Sequence, residues 1–331
     1  MSKKLFIKTF GCVQNTADSE RIKAYFWEKG YEETLDWKTA DIVVINSCIV
    51  RESAENRIYG LANNIKKFNK NIKVILAGCL VPITKGKKVR DIDEMLPINE
   101  IDFKINPLRD KKRAAMIPIS SGCDNFCSYC IVPYARGREI SREMDEILIE
   151  ADKAIDAGFE EVILIGQNVN SYQPSFPKLL ATVAQKNFKK ISFVSSNPWD
   201  FTDELIETIA KYQNIDRLLH LPFQSGNDEI LKKMNRNYTQ KMYLELVNKI
   251  KSKIEGVKFS TDIIVGFPGE DEKAFQNTVN VCKKVSFEIA YVNKYSPRRG
   301  TVSAKLYPND ISQDEKKRRW KILNDLVNKK R

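Results

Sequence analysis

Three cysteines lie close together in the run GCDNFCSYC, where Cys123, Cys127 and Cys130 have the spacing C-x3-C-x2-C. Thiolates at such short spacings bind iron–sulfur clusters or zinc. A closed site normally takes four protein donors, yet the single histidine of the chain, His220, lies ninety residues beyond Cys130. The spacing therefore predicts a metal centre with one coordination position that the nearby sequence does not fill.

A second set of three cysteines shows the same shortage of a fourth donor. Cys12, Cys48 and Cys79 stand at or just past the ends of three apolar segments, KLFIKTF, ADIVVINSC and KVILAGC. An open position is a defect in a structural metal site, but a catalytic metal needs one. Cys282, inside the helical pattern AFQNTVNVCKKV, is interpreted as an ordinary buried thiol.

The elements that would position these cysteines alternate between strand and helix patterns. Residues 1–90 predict a parallel α/β domain, in which the carboxyl ends of the strands share one edge and bring distant cysteines together. Residues 91–113 are charged and lack clear periodicity, so they predict a linker. Residues 114–310 predict a partial (βα)6 barrel and residues 311–331 a basic helix. The six barrel strands are AAMIPIS, EVILIG, KKISFVSS, DRLLHLPF, VKFSTDIIVGF and EIAYVNKY.

Composition and charge bound the class of protein. The 331 residues are 42% apolar, no run approaches the length of a membrane span, and the start lacks a secretory pattern, which together predict a soluble cytoplasmic protein. The net charge of +12 is concentrated at the two ends of the chain, in residues 1–90 and 311–331. This pattern suits a polyanion such as RNA, and it equally suits solvated lysine-rich surfaces.

Longer segments of the sequence resemble the radical S-adenosylmethionine methylthiotransferase family. FGCVQNTADSERI, INSCIVRESAENRIYG and LAGC resemble its amino-terminal domain, and GCDNFCSYCIVPYARGREISR resembles its radical segment. Within the family, the chain looks most like the bacterial subfamily that acts on tRNA. The segments that carry this similarity are GQNVNSY, SSNPWDF, HLPFQSGNDEILKKMNR, DIIVGFPGE and YSPRRGT.

The resemblance implies the cofactors and their ligands. Each cysteine set would hold one [4Fe–4S] cluster, giving two clusters as metal sites, with Cys123, Cys127 and Cys130 forming the catalytic set. S-adenosylmethionine would take the open iron position of that set and, after one-electron cleavage, supply a 5′-deoxyadenosyl radical. Residues expected to bind this cosubstrate follow the barrel strands: Gly166, Gln167, Asn168, Ser196, Gln224 and Asp262.

The resemblance also implies partners. The substrate would be the anticodon stem-loop of a tRNA, in which a methylthio group is added to carbon 2 of N6-isopentenyladenosine. An electron donor such as flavodoxin or ferredoxin is expected, a sulfur donor is required, and no membrane is involved. Family members usually continue into a small RNA-binding β-barrel, the TRAM module, whereas this sequence stops at Arg331. Five arginines are possible phosphate or carboxylate contacts: Arg136, Arg138, Arg142, Arg298 and Arg299.

Two alternative functions stay open on the sequence. A methylthiotransferase of the same family could act on threonylcarbamoyl-adenosine in tRNA or on an aspartate of a ribosomal protein, although GQNVNSY argues against both. A metal-bearing RNA-binding protein without catalysis is the alternative from another class. Metal content separates this last alternative from the enzyme, because two clusters give about eight irons per chain, whereas one or two zinc ions would favour the binding protein.

Overall fold

The computed structural model describes residues 2–49, 52–101, 103–110 and 114–330. It divides into two compact units, Met1–Asp124 with Ile131–Phe159 and Asn125–Cys130 with Glu160–Arg331. Of the predicted linker, residues 102 and 111–113 lie outside the described residues. None of the helices among the described residues is long and apolar enough to span a bilayer.

The first unit contains a parallel sheet. The strands of this unit are β1 Lys3–Thr9, β2 Tyr31–Glu33, β3 Ile42–Ser47, β4 Lys73–Gly78, β5 Glu94–Leu96, β6 Ala115–Pro118, β7 Ser120–Ser121 and β8 Ile140–Ser141. Its helices are α1 Val13–Trp27, α2 Glu52–Phe68, α3 Leu80–Thr84, α4 Val132–Arg136 and α5 Met144–Asp156. Strands β1 to β5 lie in the order β2-β1-β3-β4-β5 with every pairing parallel, and β7 pairs with β8 in antiparallel fashion. The parallel α/β prediction is confirmed.

The central strands of this sheet are covered on both faces. All six residues of β3 are buried, and its side chains alternate between two hydrophobic clusters. Val43 and Ile45 pack with Ile58 of α2, whereas Ile42 and Val44 pack with the Ile22 side of the sheet. This two-sided burial explains why β3 and β4 read as continuous β-branched runs rather than as alternating patterns.

The second unit contains strands β9 to β13 and helices α6 to α12. The strands are β9 Glu161–Ile165, β10 Lys190–Phe193, β11 Leu218–His220, β12 Lys258–Val265 and β13 Ile289–Lys294. The helices are α6 Phe176–Ala184, α7 Asp203–Lys211, α8 Asp228–Lys233, α9 Gln240–Lys253, α10 Glu272–Val285, α11 Val302–Leu306 and α12 Gln313–Val327. Strand β9 pairs with β10, and β11-β12-β13 form a second parallel group.

Each of the six predicted barrel strands forms a strand at its expected place, from β6 through β9 to β13. The fold also contains features that were not predicted, including the following three. Strand β5 lies inside the predicted linker and pairs with β4. Helix α1 begins directly after Cys12, six residues earlier than the apolar pattern SERIKAYFWEKG indicates. The helix α12 buries the charged residues Lys316 and Arg319.

Candidate active site

The first cysteine set lies at one edge of the sheet in the first unit. Cys48 directly follows β3, Cys79 directly follows β4, and Cys12 lies three residues past the end of β1. These three strands are neighbours in the order β1-β3-β4 and run parallel, so their carboxyl ends meet at the same edge. Cys48 and Cys79 share one buried cluster, and Cys12 is exposed.

Hydrogen bonds join the backbones around all three cysteines. The side chain of Asn15 accepts from the amide of Cys12 at 3.3 Å and donates to the carbonyl of Ser47 at 3.1 Å. That same Ser47 carbonyl accepts from the amide of Cys79 at 2.9 Å. Because Ser47 precedes Cys48 directly, one asparagine and one carbonyl fix the relative positions of three residues far apart in the sequence.

A buried arginine contacts this first set. The Arg136 Nε donates to Cys79 Sγ at 3.1 Å, and its Nη2 donates to Asp18 Oδ2 at 2.6 Å. Gln14, one turn earlier on α1, donates to the other oxygen of Asp18 at 3.2 Å. Burial raises the pKa of the Cys79 thiol, and the Arg136 guanidinium opposes that rise. Arg136 therefore favours the thiolate, which is the form that binds metal.

The turn that opens the second cysteine run is fixed by close backbone packing. Gly122 has a φ of +80°, and a Cβ on it would lie 1.9 Å from the carbonyl oxygen of Arg138. The amide of Cys123 donates to the carbonyl of Gly137 at 3.2 Å, and the Asp124 carboxylate accepts from the Glu139 amide at 3.1 Å. Only glycine fits at position 122, because any side chain would force these two backbone segments apart.

Cys127 and Cys130 lie in a turn that is held by the end of α8 in the second unit. The amide of Cys130 donates to the carbonyl of Cys127 at 2.9 Å. Ser128 donates to the Met234 carbonyl from its amide and to the Lys233 carbonyl from its hydroxyl, at 3.0 and 2.7 Å. The Asn235 amide group reaches back to the carbonyl of Phe126 at 3.1 Å. The turn is thus attached to a helix end rather than free in a loop.

A second buried arginine contacts Cys127. Arg236 donates from Nη1 to Cys127 Sγ at 3.4 Å and from Nη2 to the Pro222 carbonyl at 3.2 Å. Its guanidinium carbon lies 4.6 Å from the ring centre of Trp199 and 5.4 Å from that of Tyr238. Burial alone would lower the pKa of Arg236, but the neighbouring Tyr238, Tyr129 and Cys127 groups raise it well above its usual value.

Two buried acceptors follow β9 with their hydrogen-bonding capacity unused. Gly166, Gln167 and Asn168 come directly after this strand, and Asn168 is 1% exposed. Asn168 donates from Nδ2 to Asp200 Oδ2 at 2.9 Å. The side-chain oxygens of Gln167 and Asn168 are buried and have no hydrogen-bond partner among the described residues. An unpaired buried acceptor is costly, so a hydrogen-bond donor from a bound molecule would stabilise this part of the site.

The other three residues predicted to bind the cosubstrate lie around His220. The Ser196 hydroxyl donates to the His220 carbonyl at 2.5 Å, and His220 Nε2 lies 3.1 Å from Asp262 Oδ2. The amide of Gln224 donates to the Asp262 carbonyl at 2.9 Å, and Gln224 has a left-handed φ of 63°. His220 Nδ1 lies 3.0 Å from Ser260 Oγ, so both ring nitrogens are engaged and the ring orients Asp262.

The cysteines suit iron–sulfur clusters as donors. None of the seven cysteines forms a disulfide. In the part of the chain that the structure describes, no three Cys, His, Asp or Glu side chains stand close enough to hold a single metal ion. A cubane differs from a single ion because each thiolate binds a different iron atom. Three thiolates at one sheet edge, with a guanidinium beside one sulfur, suit such an anionic cluster.

Three of the five arginines that were predicted as phosphate or carboxylate contacts, Arg136, Arg138 and Arg142, pair with carboxylates of this chain. Arg142 donates to Glu150 Oε2 at 2.8 Å, and the exposed Arg138 pairs with Asp124 at 2.8 Å. Sequence reasoning missed Arg236 and Asp18 altogether. Their partners lie 109 and 118 residues away along the chain, and no local pattern marks such contacts.

Solved structures share the fold of this chain. The radical S-adenosylmethionine methyltransferase TsrM from Kitasatospora setae, solved with cobalamin and a [4Fe–4S] cluster, superposes with a TM-score of 0.65 and 13% identity. The alignment covers 92% of this chain and 77% of TsrM. The cobalamin-dependent S-adenosylmethionine radical enzyme OxsB gives a TM-score of 0.59 at 10% identity, covering 100% of this chain and 56% of OxsB. At these identities the likeness establishes the fold alone.

Two family descriptions match successive parts of the sequence. Residues 117–282 match the radical SAM superfamily, and residues 4–97 match a family described as uncharacterized protein family UPF0004. The first match contains Cys123, Cys127 and Cys130, and the second contains the other cysteine set.

Bacterial relatives match almost the whole chain. Proteins named tRNA-2-methylthio-N(6)-dimethylallyladenosine synthase are 37% identical in Finegoldia magna, over 97% of this chain and 78% of the relative. The identity is 38% in Clostridium botulinum, over 98% and 81%, and 39% in Fusobacterium nucleatum, over 99% and 84%. The chain therefore belongs to the tRNA-2-methylthio-N(6)-dimethylallyladenosine synthase family within the radical SAM superfamily.

Proposed function

We propose that this protein is a tRNA methylthiotransferase, which adds a methylthio group to carbon 2 of N6-isopentenyladenosine, also called N6-dimethylallyladenosine, next to the anticodon. The observation that carries this function is the identity of 37–39% to relatives of that one activity over 97–99% of the chain. When bound, two [4Fe–4S] clusters and S-adenosylmethionine supply the sulfur and radical chemistry that acid–base side chains lack.

The residues of this chain hold and orient those groups. Cys12, Cys48 and Cys79 would bind one cluster, with the Asn15 and Ser47 hydrogen bonds fixing their backbones. Cys123, Cys127 and Cys130 would bind the other. Each set offers three thiolates, so one iron of each bound cluster would keep a position for a reactant, which is the form that catalysis requires.

Gln167 and Asn168 are proposed to bind the methionyl ammonium group of S-adenosylmethionine. Their buried side-chain oxygens have no partner among the described residues, and an ammonium group donates the hydrogen bonds that they need. Gly166 would leave room beside them. Ser196, Gln224 and Asp262 are proposed to contact the ribose and adenine, with His220 holding the Asp262 carboxylate in place.

The partners and the architecture follow from the same function. The substrate is proposed to be the anticodon stem-loop of tRNA, the electron donor a flavodoxin or ferredoxin, and the compartment the cytoplasm. The sulfur must come from a donor that the chain itself does not identify. We also propose that the chain divides into an α/β domain 1–90, a linker 91–113, a barrel 114–310 and a basic helix 311–331.

Mass spectrometry of tRNA nucleosides tests the function. The gene is expressed in a bacterial strain that lacks its own synthase of this family, beside the Cys79→Ala and Cys282→Ala variants. We expect the methylthio mark on isopentenyladenosine with the wild-type protein and with Cys282→Ala, since Cys282 is buried in α10 and belongs to neither cysteine set. No mark is expected with Cys79→Ala. A mark on threonylcarbamoyl-adenosine, or no mark with an iron-loaded wild-type protein, would refute the assignment.

A further inference from the structure

Each cysteine set has one arginine whose guanidinium donates to a thiol sulfur. In the first unit, Arg136 Nε lies 3.1 Å from Cys79 Sγ, and the Arg136 side chain is 8% exposed. In the second unit, Arg236 Nη1 lies 3.4 Å from Cys127 Sγ, and Arg236 is 8% exposed. Arg136 is the last residue of α4, whereas Arg236 lies three residues past the end of α8, so the repeated contact does not follow from a repeated sequence.

Both guanidinium groups are fixed by contacts on their other sides. Asp18 accepts from Arg136 at 2.6 Å, and Gln14 fixes Asp18 in turn. The Pro222 carbonyl accepts from Arg236 at 3.2 Å, while the rings of Trp199 and Tyr238 lie beside its charged plane. A flexible arginine would form its hydrogen bond to sulfur only part of the time, whereas a fixed arginine keeps its N–H group directed at the sulfur.

A neutral thiol does not account for these contacts. It is a weak acceptor, and burying a guanidinium is costly unless its charge is balanced. A thiolate that ligates an iron–sulfur cluster is both a better acceptor and part of a group that carries negative charge. Hydrogen bonds to such sulfurs are among the factors that set the reduction potential of a cluster.

We propose that Arg136 and Arg236 are positioning residues that raise the reduction potentials of the clusters held by the first and second cysteine sets. The inference rests on the proposed function only in requiring that both clusters are present. Reduction adds one electron to a cluster and so increases its negative charge. A fixed positive donor at a ligand sulfur stabilises the reduced form more than the oxidised form.

The test separates the two clusters before measuring them. A full-length protein carrying Cys12→Ala, Cys48→Ala and Cys79→Ala keeps only the second set, and one carrying Cys123→Ala, Cys127→Ala and Cys130→Ala keeps only the first. Each protein is reconstituted anaerobically with iron and sulfide, and its midpoint potential is determined by redox titration followed by electron paramagnetic resonance. Arg236→Met is then added to the protein that keeps the second set, and Arg136→Met to the protein that keeps the first set.

Each arginine variant should shift the midpoint potential of its own cluster to a more negative value at unchanged iron content. Arg217→Met is the control in the protein that keeps the second cysteine set, since Arg217 donates to the carbonyl of Ile209. Arg138→Met is the control in the protein that keeps the first set, since Arg138 is exposed and pairs with Asp124. These controls should leave the potentials in place. Where a methionine variant takes up no cluster, the glutamine variant at the same position is measured instead.

An unchanged potential in an iron-loaded Arg136→Met or Arg236→Met protein would overturn the proposal for that cluster. So would failure of both the methionine and the glutamine variant to take up iron, because the arginine would then be needed to build the site rather than to set its potential. A parent protein that binds no iron would instead contradict the proposed function, so the two failures are distinguishable.

Discussion

The two arginine–sulfur contacts differ in what balances the guanidinium charge. Arg136 shares its charge between Cys79 and the buried carboxylate of Asp18, which is 3% exposed. Among the described residues, the ion pairs do not include Arg236, whose other contacts are a carbonyl and two aromatic rings. In the first unit, the Asp18 carboxylate therefore largely balances the guanidinium charge beside Cys79 Sγ. In the second unit, no carboxylate among the described residues pairs with the guanidinium beside Cys127 Sγ. Removing Arg236 should consequently shift a potential further than removing Arg136.

Loss of a cysteine ligand should have the largest effect, because it removes a whole cluster. We expect Cys79→Ala and Cys130→Ala each to lower the iron content from about eight to about four per chain and to abolish methylthio transfer. Iron analysis and product analysis of tRNA measure this. Cys282→Ala should keep the wild-type iron content and methylthio transfer. Equal iron loss in all three variants would contradict this prediction.

The balancing charge at the first set can be removed without touching the arginine. Asp18→Asn should lower the free energy of unfolding by about 3 kcal/mol or more, because it leaves Arg136 buried without its carboxylate. Thermal unfolding measures this loss. The same change should move the potential of the first cluster to a less negative value, opposite to Arg136→Met.

The matched control for this prediction is Asp124→Asn, which removes the partner of the exposed Arg138. An exposed ion pair contributes about 1 kcal/mol at most, so this variant should remain close to the wild type. Equal destabilisation by the two asparagine variants would show that burial does not distinguish these pairs.

Gln167 and Asn168 of the second unit are the side chains proposed to accept hydrogen bonds from the ammonium group of S-adenosylmethionine. Gln167→Ala and Asn168→Ala should each weaken binding of S-adenosylmethionine by roughly tenfold to a hundredfold, since a hydrogen bond to a charged group contributes about 1.5–3 kcal/mol. Equilibrium dialysis on the iron-loaded protein measures the affinity. Gln185→Ala, an exposed glutamine at the end of α6, is the control, and a loss of affinity there as large as at Gln167 would contradict the assignment.

Two buried carboxyl groups of the first unit, Glu20 and Glu150, differ in how far neighbouring arginines lower their pKa. Burial raises the pKa of Glu20 from 4.5 to about 7, although Arg109 opposes this shift. Burial would likewise raise the pKa of Glu150, but Arg21, Arg142 and Arg109 lower it below its usual value. Between about pH 4.5 and pH 7 the folded state keeps a proton on Glu20 that the unfolded state loses.

The contribution of Glu20 to stability must therefore fall as pH rises through that window. We expect Glu20→Gln to match the wild type near pH 4.5 and to be more stable at pH 8. The gain should be about 3 kcal/mol or less, because a change of one pKa unit corresponds to about 1.4 kcal/mol. Chemical denaturation at the two pH values measures the difference, and an equal gain at both would exclude the titration of Glu20 as its cause.

The sequence predicted the scaffold of the site because strands and cysteines leave local signals. The β-branched runs before Cys48 and Cys79 mark buried parallel strands, and parallel strands must end at one edge. Strand β5 left no such signal, since three edge residues inside a charged segment are too few to show a period. The contact between Arg136 and Cys79 was not predictable either, because it depends on α4 packing against α3.

Charge gave the least reliable sequence signal. The segment 311–331 was predicted as a basic helix, and α12 forms there. The residues buried along it are Lys316, Arg319, Leu323 and Val327, which recur at helical spacing on one face. Lys316 donates to the Tyr295 carbonyl at 3.1 Å, and Arg319 binds Glu270 at 2.8 Å. Formal charge does not reveal which side of a helix faces inward.

The internal pairing in α12 limits how strongly that helix can attract a nucleic acid. Each of its five cations already has an oxygen partner: Lys316, Lys317, Arg318, Arg319 and Lys321. Only the three on the solvent side can exchange that partner for a phosphate and release a counterion. A plot of log association constant against log salt concentration should consequently have a shallower slope than the number of basic residues in the segment would give.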